Sequence, residues 1–103
     1  MAMLHTVNKS PFDKNSLASC LKYAKKGSSV LLIEDGVYGA MKNTEVSAKI
    51  ASALEEEINV YALTPDLETR GMGIERLIDG VKCVDYAGFV DLVTQHDKVN
   101  AWL

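Results

Sequence analysis

Cysteine, histidine and proline are scarce in this 103-residue chain, which contains only two of each. Cys20 and Cys83 are far apart and form no CxxC pair, so the sequence has no disulfide framework and both are predicted to be free thiols. His5 and His96 do not have the paired spacing of a structural zinc site. The sequence therefore predicts no metal.

Long hydrophobic runs are also lacking, and none approaches the roughly 18 residues of a membrane span. The first residues, 1–5, lack the basic region and apolar stretch of a secretory signal. Apolar residues still make up 48% of the chain and charged residues 24%, which is typical of a folded protein. We expect one domain over residues 1–103, in a cytoplasmic protein that does not contact a membrane.

Nucleotide and hydrolase motifs are missing as well: the chain has no GxGxxG, GxxxxGK[ST], GxSxG or HExxH. Gly71-Met72-Gly73 comes nearest to a phosphate-binding loop. It follows a predicted short helix, however, whereas a nucleotide loop needs a strand before it and a helix after it. The sequence therefore predicts no cofactor.

Positive charge is not concentrated enough to indicate nucleic-acid binding. The net charge is −3, with +3 in residues 1–51 and −6 in residues 52–103. Lys22, Lys25 and Lys26 form a small basic patch, which we interpret as a solvated helix end. We expect no direct contact with nucleic acid.

An unbroken apolar run, Val30–Ile33, organises the predicted fold. It does not alternate with polar residues, so both faces of this strand must be covered, as in a parallel sheet between helices. Strands and helices alternate along the chain, which predicts a three-layer α/β/α fold with a mainly parallel sheet of about five strands. The predicted strands are Met3–Asn8, Val30–Glu34, Ile58–Leu63, Val81–Asp85 and Val99–Leu103.

Helical spacing of apolar residues places helices between these strands. In the first, Leu17, Cys20, Leu21 and Ala24 share one face. Thr44 is predicted to cap the second, and a third, short helix is predicted over Asp66–Arg70. The last is predicted over Tyr86–Gln95. Its apolar spacing involves Phe89, Val90 and Val93, and His96 lies at its end.

Two acidic residues follow the central strand, where parallel sheets often bind ligands. Glu34 and Asp35 could act as a carboxylate pair, but adjacent residues point in opposite directions and Asp35-Gly36 suits a simple turn. The turn is the favoured interpretation.

Cys20 is the strongest candidate for chemistry, because a thiolate can accept sulfur as a persulfide and pass it to another thiol. Its position on an apolar helix face favours a buried, inert thiol instead. His5 could lower the pKa of Cys20 if the two side chains met. Cys83 is expected to be structural, within a buried strand.

Several segments together resemble one known family. They are Leu4–Phe12, the Leu-Ile-Glu-Asp-Gly-Val-Tyr segment at 32–38, Tyr61–Leu63 with the residues up to Gly71, Val84–Leu92 and the terminal Ala101-Trp102-Leu103. In order and over nearly the whole length, they look like the DsrH/TusB family. No single motif among them is diagnostic of a mechanism, but the set is specific.

The resemblance implies a subunit of a sulfurtransferase complex that relays persulfide sulfur. In this family the subunit assembles with DsrE/TusD-like and DsrF/TusC-like relatives into a heterohexamer with two copies of each. The sulfur acceptor is a DsrC/TusE-like carrier. Cys20 matches a cysteine typical of the DsrH branch, found in sulfur-oxidising bacteria, whereas TusB-like members can lack it, so the chain resembles DsrH more closely.

The resemblance also limits what this subunit does alone. The main sulfur-carrying cysteine of such complexes belongs to the DsrE/TusD-like subunit, and here Thr64-Pro65-Asp66 offers no thiol after the third strand. We expect no activity from the isolated chain, and expect Cys20 to be an auxiliary persulfide acceptor or a carrier-docking residue in sulfur oxidation. The alternatives are a noncatalytic assembly subunit and a TusB-like subunit of the relay for tRNA 2-thiouridine synthesis.

Overall fold

The computed structural model describes residues 3–103, so the first two residues of the predicted 1–103 domain lie outside the described part. Five strands form one sheet in the order β4-β3-β2-β1-β5, and every neighbouring pair is parallel. The strands are β1 (Met3–Val7), β2 (Ser29–Leu32), β3 (Asn59–Leu63), β4 (Lys82–Val84) and β5 (Lys98–Trp102). Each strand overlaps the corresponding prediction, with ends that coincide or differ by at most two residues.

Helices cover both faces of the sheet, which confirms the three-layer α/β fold. They are α1 (Ser16–Tyr23), α2 (Ser47–Glu55), α3 (Thr64–Thr69) and α4 (Tyr86–Gln95), with short 3₁₀ helices at Glu34–Ala40 and Ile74–Arg76. On one face, α1 and α2 pack over Val7, Val30 and Val60. On the other, Leu92 of α4 packs over Leu4 and Leu31. No helix in residues 3–103 combines the length and apolar character needed to cross a membrane.

The central strand is buried as its sequence predicts. Val30, Leu31 and Leu32 have no exposed surface. Strand β2 lies in the middle of the sheet with β1 and β3 on either side, so its alternate side chains enter the two opposite cores. This explains why the run shows no polar alternation.

One prediction about burial is wrong, and the apolar spacing of α4 does not coincide with its buried side. Cys83 is exposed rather than buried, because β4 is an edge strand with a neighbour on one side only. In α4, the buried residue is Leu92, whereas Val90 and Val93 are exposed by 61% and 39%. The apolar spacing of this helix is therefore divided between the core and the surface.

Three further details differ from the predictions, the first being that α3 begins at Thr64 rather than at Asp66 and ends at Thr69 rather than at Arg70. Helix α2 begins at Ser47, with Val46 at its N-cap position, so Thr44 is not the cap. The Thr44 hydroxyl instead accepts a hydrogen bond from the Val46 backbone N–H at 3.3 Å, in a local turn before the helix. After β2, the predicted turn at Glu34-Asp35-Gly36 forms the first residues of a 3₁₀ helix.

Candidate functional site

Asp35, the second of the two acidic residues after β2, is held by Arg70 at the end of α3. Both Nε and Nη2 of Arg70 donate to Oδ1 of Asp35, at 3.1 and 2.9 Å. Nη1 of Arg70 also donates to the backbone carbonyl of Asp66 at 3.1 Å. The hydrogen bond with Asp35 raises the pKa of Arg70, which keeps the guanidinium charged.

Asp66 completes this network from the start of α3. Its Oδ2 accepts a hydrogen bond from the Glu34 backbone N–H at 2.7 Å. Glu34 has a positive φ of 49°. This conformation costs free energy in a residue other than glycine, and it persists only where the surrounding structure holds it. Asp66 thus fixes the strained residue at which the chain leaves the central strand.

Gly36 is required here for close approach rather than for turn geometry. A Cβ atom at this position would overlap the carbonyl oxygen of Val7, at the end of β1. The 3₁₀ helix therefore lies directly against the carboxyl end of β1. The Asp35 carboxylate pairs with Arg70, and the Glu34 backbone N–H donates to Asp66, which favours the turn interpretation of Glu34 and Asp35 over a carboxylate pair.

Cys20 lies on the side of α1 that faces the core. It has no exposed surface, and burial raises the pKa of its thiol to about 12. At pH 7 the thiol is therefore overwhelmingly protonated, whereas the thiolate is the form that attacks sulfur. The pKa of Cys20 is raised by burial alone, and Nδ1 of His5 is bonded to Trp102, so the structure gives no support to the hypothesis that His5 lowers the pKa of Cys20.

The partner of His5 is Trp102 on the last strand. The indole N–H of Trp102 donates to Nδ1 of His5 at 3.0 Å. Tyr23, at the end of α1, lies edge-on to both rings, with ring centroids 5.8 Å from each. His5 is 1% exposed, and burial lowers its pKa, so the neutral ring is favoured.

His96 closes the end of α4, as its position in the sequence indicated. Its Nδ1 contacts the Leu92 carbonyl at 2.6 Å, and its Nε2 contacts the Ser29 hydroxyl at 2.9 Å. A carbonyl can only accept, so Nδ1 carries a proton and donates. His96 joins α4 to β2 and is a structural residue.

Sequence patterns had not singled out Arg70 or the pairing of Trp102 with His5. Arg70 is 35 residues from Asp35, and Trp102 is 97 residues from His5. The sequence features that could have drawn attention to them are an arginine just before Gly71 and the single tryptophan, in the last strand. Neither feature identifies the residue that it contacts. In residues 3–103, no three His, Cys, Asp or Glu side chains are grouped to hold a metal ion.

Comparison with protein families identifies the chain. The model of the DsrH like protein family matches residues 9–99. The chain belongs to the DsrH/TusB family. This DsrH/TusB chain is similar to proteins named TusB: it is 33% identical to that of Pectobacterium parmentieri, 35% to that of Erwinia tasmaniensis and 34% to that of Escherichia coli O81. Each match covers 97% of this chain and 100% of the relative.

Solved structures share the fold at low sequence identity. The ychN protein of E. coli has a TM-score of 0.86 at 16% identity, covering 98% of both chains. MTH1491 of Methanobacterium thermoautotrophicum has a TM-score of 0.75 at 17% identity, covering 96% of both chains. These likenesses concern the fold alone.

Proposed function

We propose that this protein is a noncatalytic assembly subunit of a heterohexameric, cytoplasmic sulfur-relay complex, with DsrE/TusD-like and DsrF/TusC-like partners. The observation that carries the proposal is family membership over residues 9–99, joined to the burial of Cys20. A thiol with no exposed surface and a pKa of about 12 is a poor persulfide acceptor. The subunit then shapes the complex, and the DsrC/TusE-like carrier receives sulfur from a cysteine elsewhere in it.

An apolar stripe on α4 supports the assembly role. Tyr86, Val90 and Val93 follow one another at helical spacing and are 61%, 61% and 39% exposed. Val99 of β5 lies on the same side of the sheet as Leu4, the side covered by α4, and is 48% exposed. Contiguous exposed apolar surface is typical of a protein interface. We assign this α4 stripe to contact with a related subunit.

Co-expression with both relatives tests the assembly. The wild-type chain should elute with them as a complex whose mass corresponds to two copies of each subunit. Val90→Glu places a charge in the stripe and should release the chain from the complex while it stays folded. Ile74→Glu is the matched control, because Ile74 is 72% exposed but lies outside α4. Equal assembly of the two variants would contradict the assignment of the stripe.

The process served by the complex is a separate proposal. Cys20 at its position after Asn8–Phe12 resembles the DsrH branch and favours sulfur oxidation, whereas the relatives named TusB favour the relay for tRNA 2-thiouridine. We propose sulfur oxidation as the primary process. Deleting the gene and measuring both sulfur oxidation and tRNA 2-thiouridine by mass spectrometry separates the two. Loss of 2-thiouridine with intact sulfur oxidation would overturn the choice.

A second candidate function keeps Cys20 as an auxiliary persulfide acceptor. Its supporting observation is the position of Cys20 in the second half of an eight-residue helix, three residues before its last residue, Tyr23. Local opening of so short a helix would expose the thiol to the carrier. In this candidate function, transfer depends on the opening equilibrium of α1.

A further inference from the structure

A cavity of about 190 Å³ lies at the end of the sheet where β1 and β2 begin. The Asp35–Arg70 network lies at the opposite end, after β2. It is lined by Met3, His5, Tyr23, Lys25 and Ser28. Liquid water occupies about 30 Å³ per molecule, so the cavity has room for about six waters or for a small ion and its first few waters. The lining contains no carboxylate.

His5 offers this cavity a hydrogen-bond donor. Its Nδ1 accepts from Trp102, so the neutral ring must carry its proton on Nε2. His5 as a whole is 1% exposed, but Nε2 is not among the fully buried side-chain atoms of residues 3–103 that lack a partner. Its N–H is therefore open to the solvent of the cavity that His5 lines. An anion in the cavity would accept a hydrogen bond from this N–H in place of water.

Ser28 and Lys25 add donors at the same place. Ser28 is 4% exposed and lines the cavity, and its hydroxyl is not among the fully buried side-chain atoms of residues 3–103 that lack a partner. Lys25 is exposed and pairs with no described carboxylate, whereas neighbouring Lys26 pairs with Glu57 at 2.7 Å. The wall thus combines a positive charge, an N–H and a hydroxyl. Such a set suits an oxyanion, which accepts several hydrogen bonds at once.

We propose that the cavity lined by His5, Ser28 and Lys25 binds a small inorganic oxyanion of the size of sulfate or phosphate. The His5 Nε2–H and the Ser28 hydroxyl donate to its oxygens, and the Lys25 ammonium balances its charge. The site is independent of the proposed relay role, because it uses neither thiol. Trp102 lies behind the His5 ring and is the only tryptophan, so its fluorescence reports on the site.

Titration of the full-length protein with sodium sulfate, and separately with sodium phosphate, tests this site at pH 7. Trp102 fluorescence and the His5 ring NMR signals should change saturably, while sodium chloride at matched ionic strength should not produce the change. Ser28→Ala and Lys25→Gln should each weaken binding by about five- to tenfold, the effect of losing one charge-assisted contact. Neither variant removes a hydrogen bond within residues 3–103, so both should fold.

Lys22→Gln is the matched control for Lys25→Gln. It removes the same charge from the same basic patch, but Lys22 does not line the cavity. The dissociation constant of Lys22→Gln for sulfate or phosphate should stay within about twofold of the wild-type value, the range expected for a screened distant charge. A response no different from that to chloride, or equal weakening by both lysine variants, would overturn the proposed site.

Discussion

The indole N–H of Trp102, on the last strand, donates a hydrogen bond to Nδ1 of His5, on the first strand, at 3.0 Å. Strands β1 and β5 are neighbours, with Val7 opposite Trp102 and His5 opposite Asn100. The pair therefore joins the last strand in the chain to the first by a partly buried side-chain hydrogen bond. At the next residue, the Leu103 carbonyl accepts from the Ser16 hydroxyl at 3.0 Å, which joins the same strand to the start of α1.

Trp102→Phe should destabilise the protein by about 1–3 kcal/mol, because it leaves Nδ1 of a buried histidine without its donor. Urea unfolding followed by circular dichroism measures the free energy. Tyr23→Phe is the control, since it keeps the third ring of the cluster and removes only a hydroxyl. A loss below about 0.5 kcal/mol for Trp102→Phe, the usual range of surface substitutions, would contradict the role of this hydrogen bond.

Stability should depend on pH through His5. Burial lowers its pKa in the folded state below the ordinary value of 6.5, so the unfolded chain binds the proton first as the pH falls. The contribution is fully present above pH 6.5 and is lost as the pH falls from 6.5 through the folded-state pKa. The free energy of unfolding of wild type minus that of His5→Gln, measured from pH 7.5 to 5, should therefore decrease. A constant or increasing difference would contradict the burial of a neutral His5.

The two thiols should react at very different rates. Cys83 is exposed and should be alkylated by iodoacetamide quickly in the native protein, whereas buried Cys20 should react only after opening of the structure. Mass spectrometry should find one fast adduct in wild type and none in Cys83→Ser. Both thiols should react at similar rates in urea. A fast adduct on Cys20 in native Cys83→Ser would show an accessible thiol and favour the acceptor role.

Arg70 should matter more than a surface ion pair. Arg70→Met removes two hydrogen bonds to Asp35 from a side chain that is 19% exposed, and should cost about 1–2 kcal/mol in urea unfolding. Lys26→Met is the control, because its pair with Glu57 is 76% and 66% exposed and should contribute less than about 1 kcal/mol. Equal losses would mean that the network after β2 adds nothing beyond an ordinary surface pair.

Local pattern and resemblance predicted the order of the elements and the fold. The central strand followed from the unbroken apolar run at Val30–Ile33. Helix α4 was predicted from its apolar spacing with the bounds it has, and the structure adds the cap that starts it: Asp85 Oδ1 accepts from the Gly88 N–H at 2.8 Å. Both features depend on residues that are neighbours in sequence.

Features set by distant parts of the chain were not predictable in the same way. Whether Cys83 is buried or exposed depends on the place of β4 in the sheet. The residues of β4 do not themselves specify whether this strand lies at the edge or in the middle. Nor does the spacing of Val90 and Val93 reveal that α4 faces the core through Leu92. The hydrogen bond between Trp102 and His5 depends on the pairing of β5 with β1, a consequence of the sheet order.

The most direct test of the noncatalytic role is persulfide transfer by the reconstituted heterohexamer to its carrier. The complex containing Cys20→Ala should transfer sulfur at the wild-type rate, and mass spectrometry of the wild-type complex after incubation with a persulfide donor should find no sulfur added to Cys20. A complex whose transfer is lost in Cys20→Ala while assembly is intact, with sulfur bound to Cys20 in the wild type, would contradict this account.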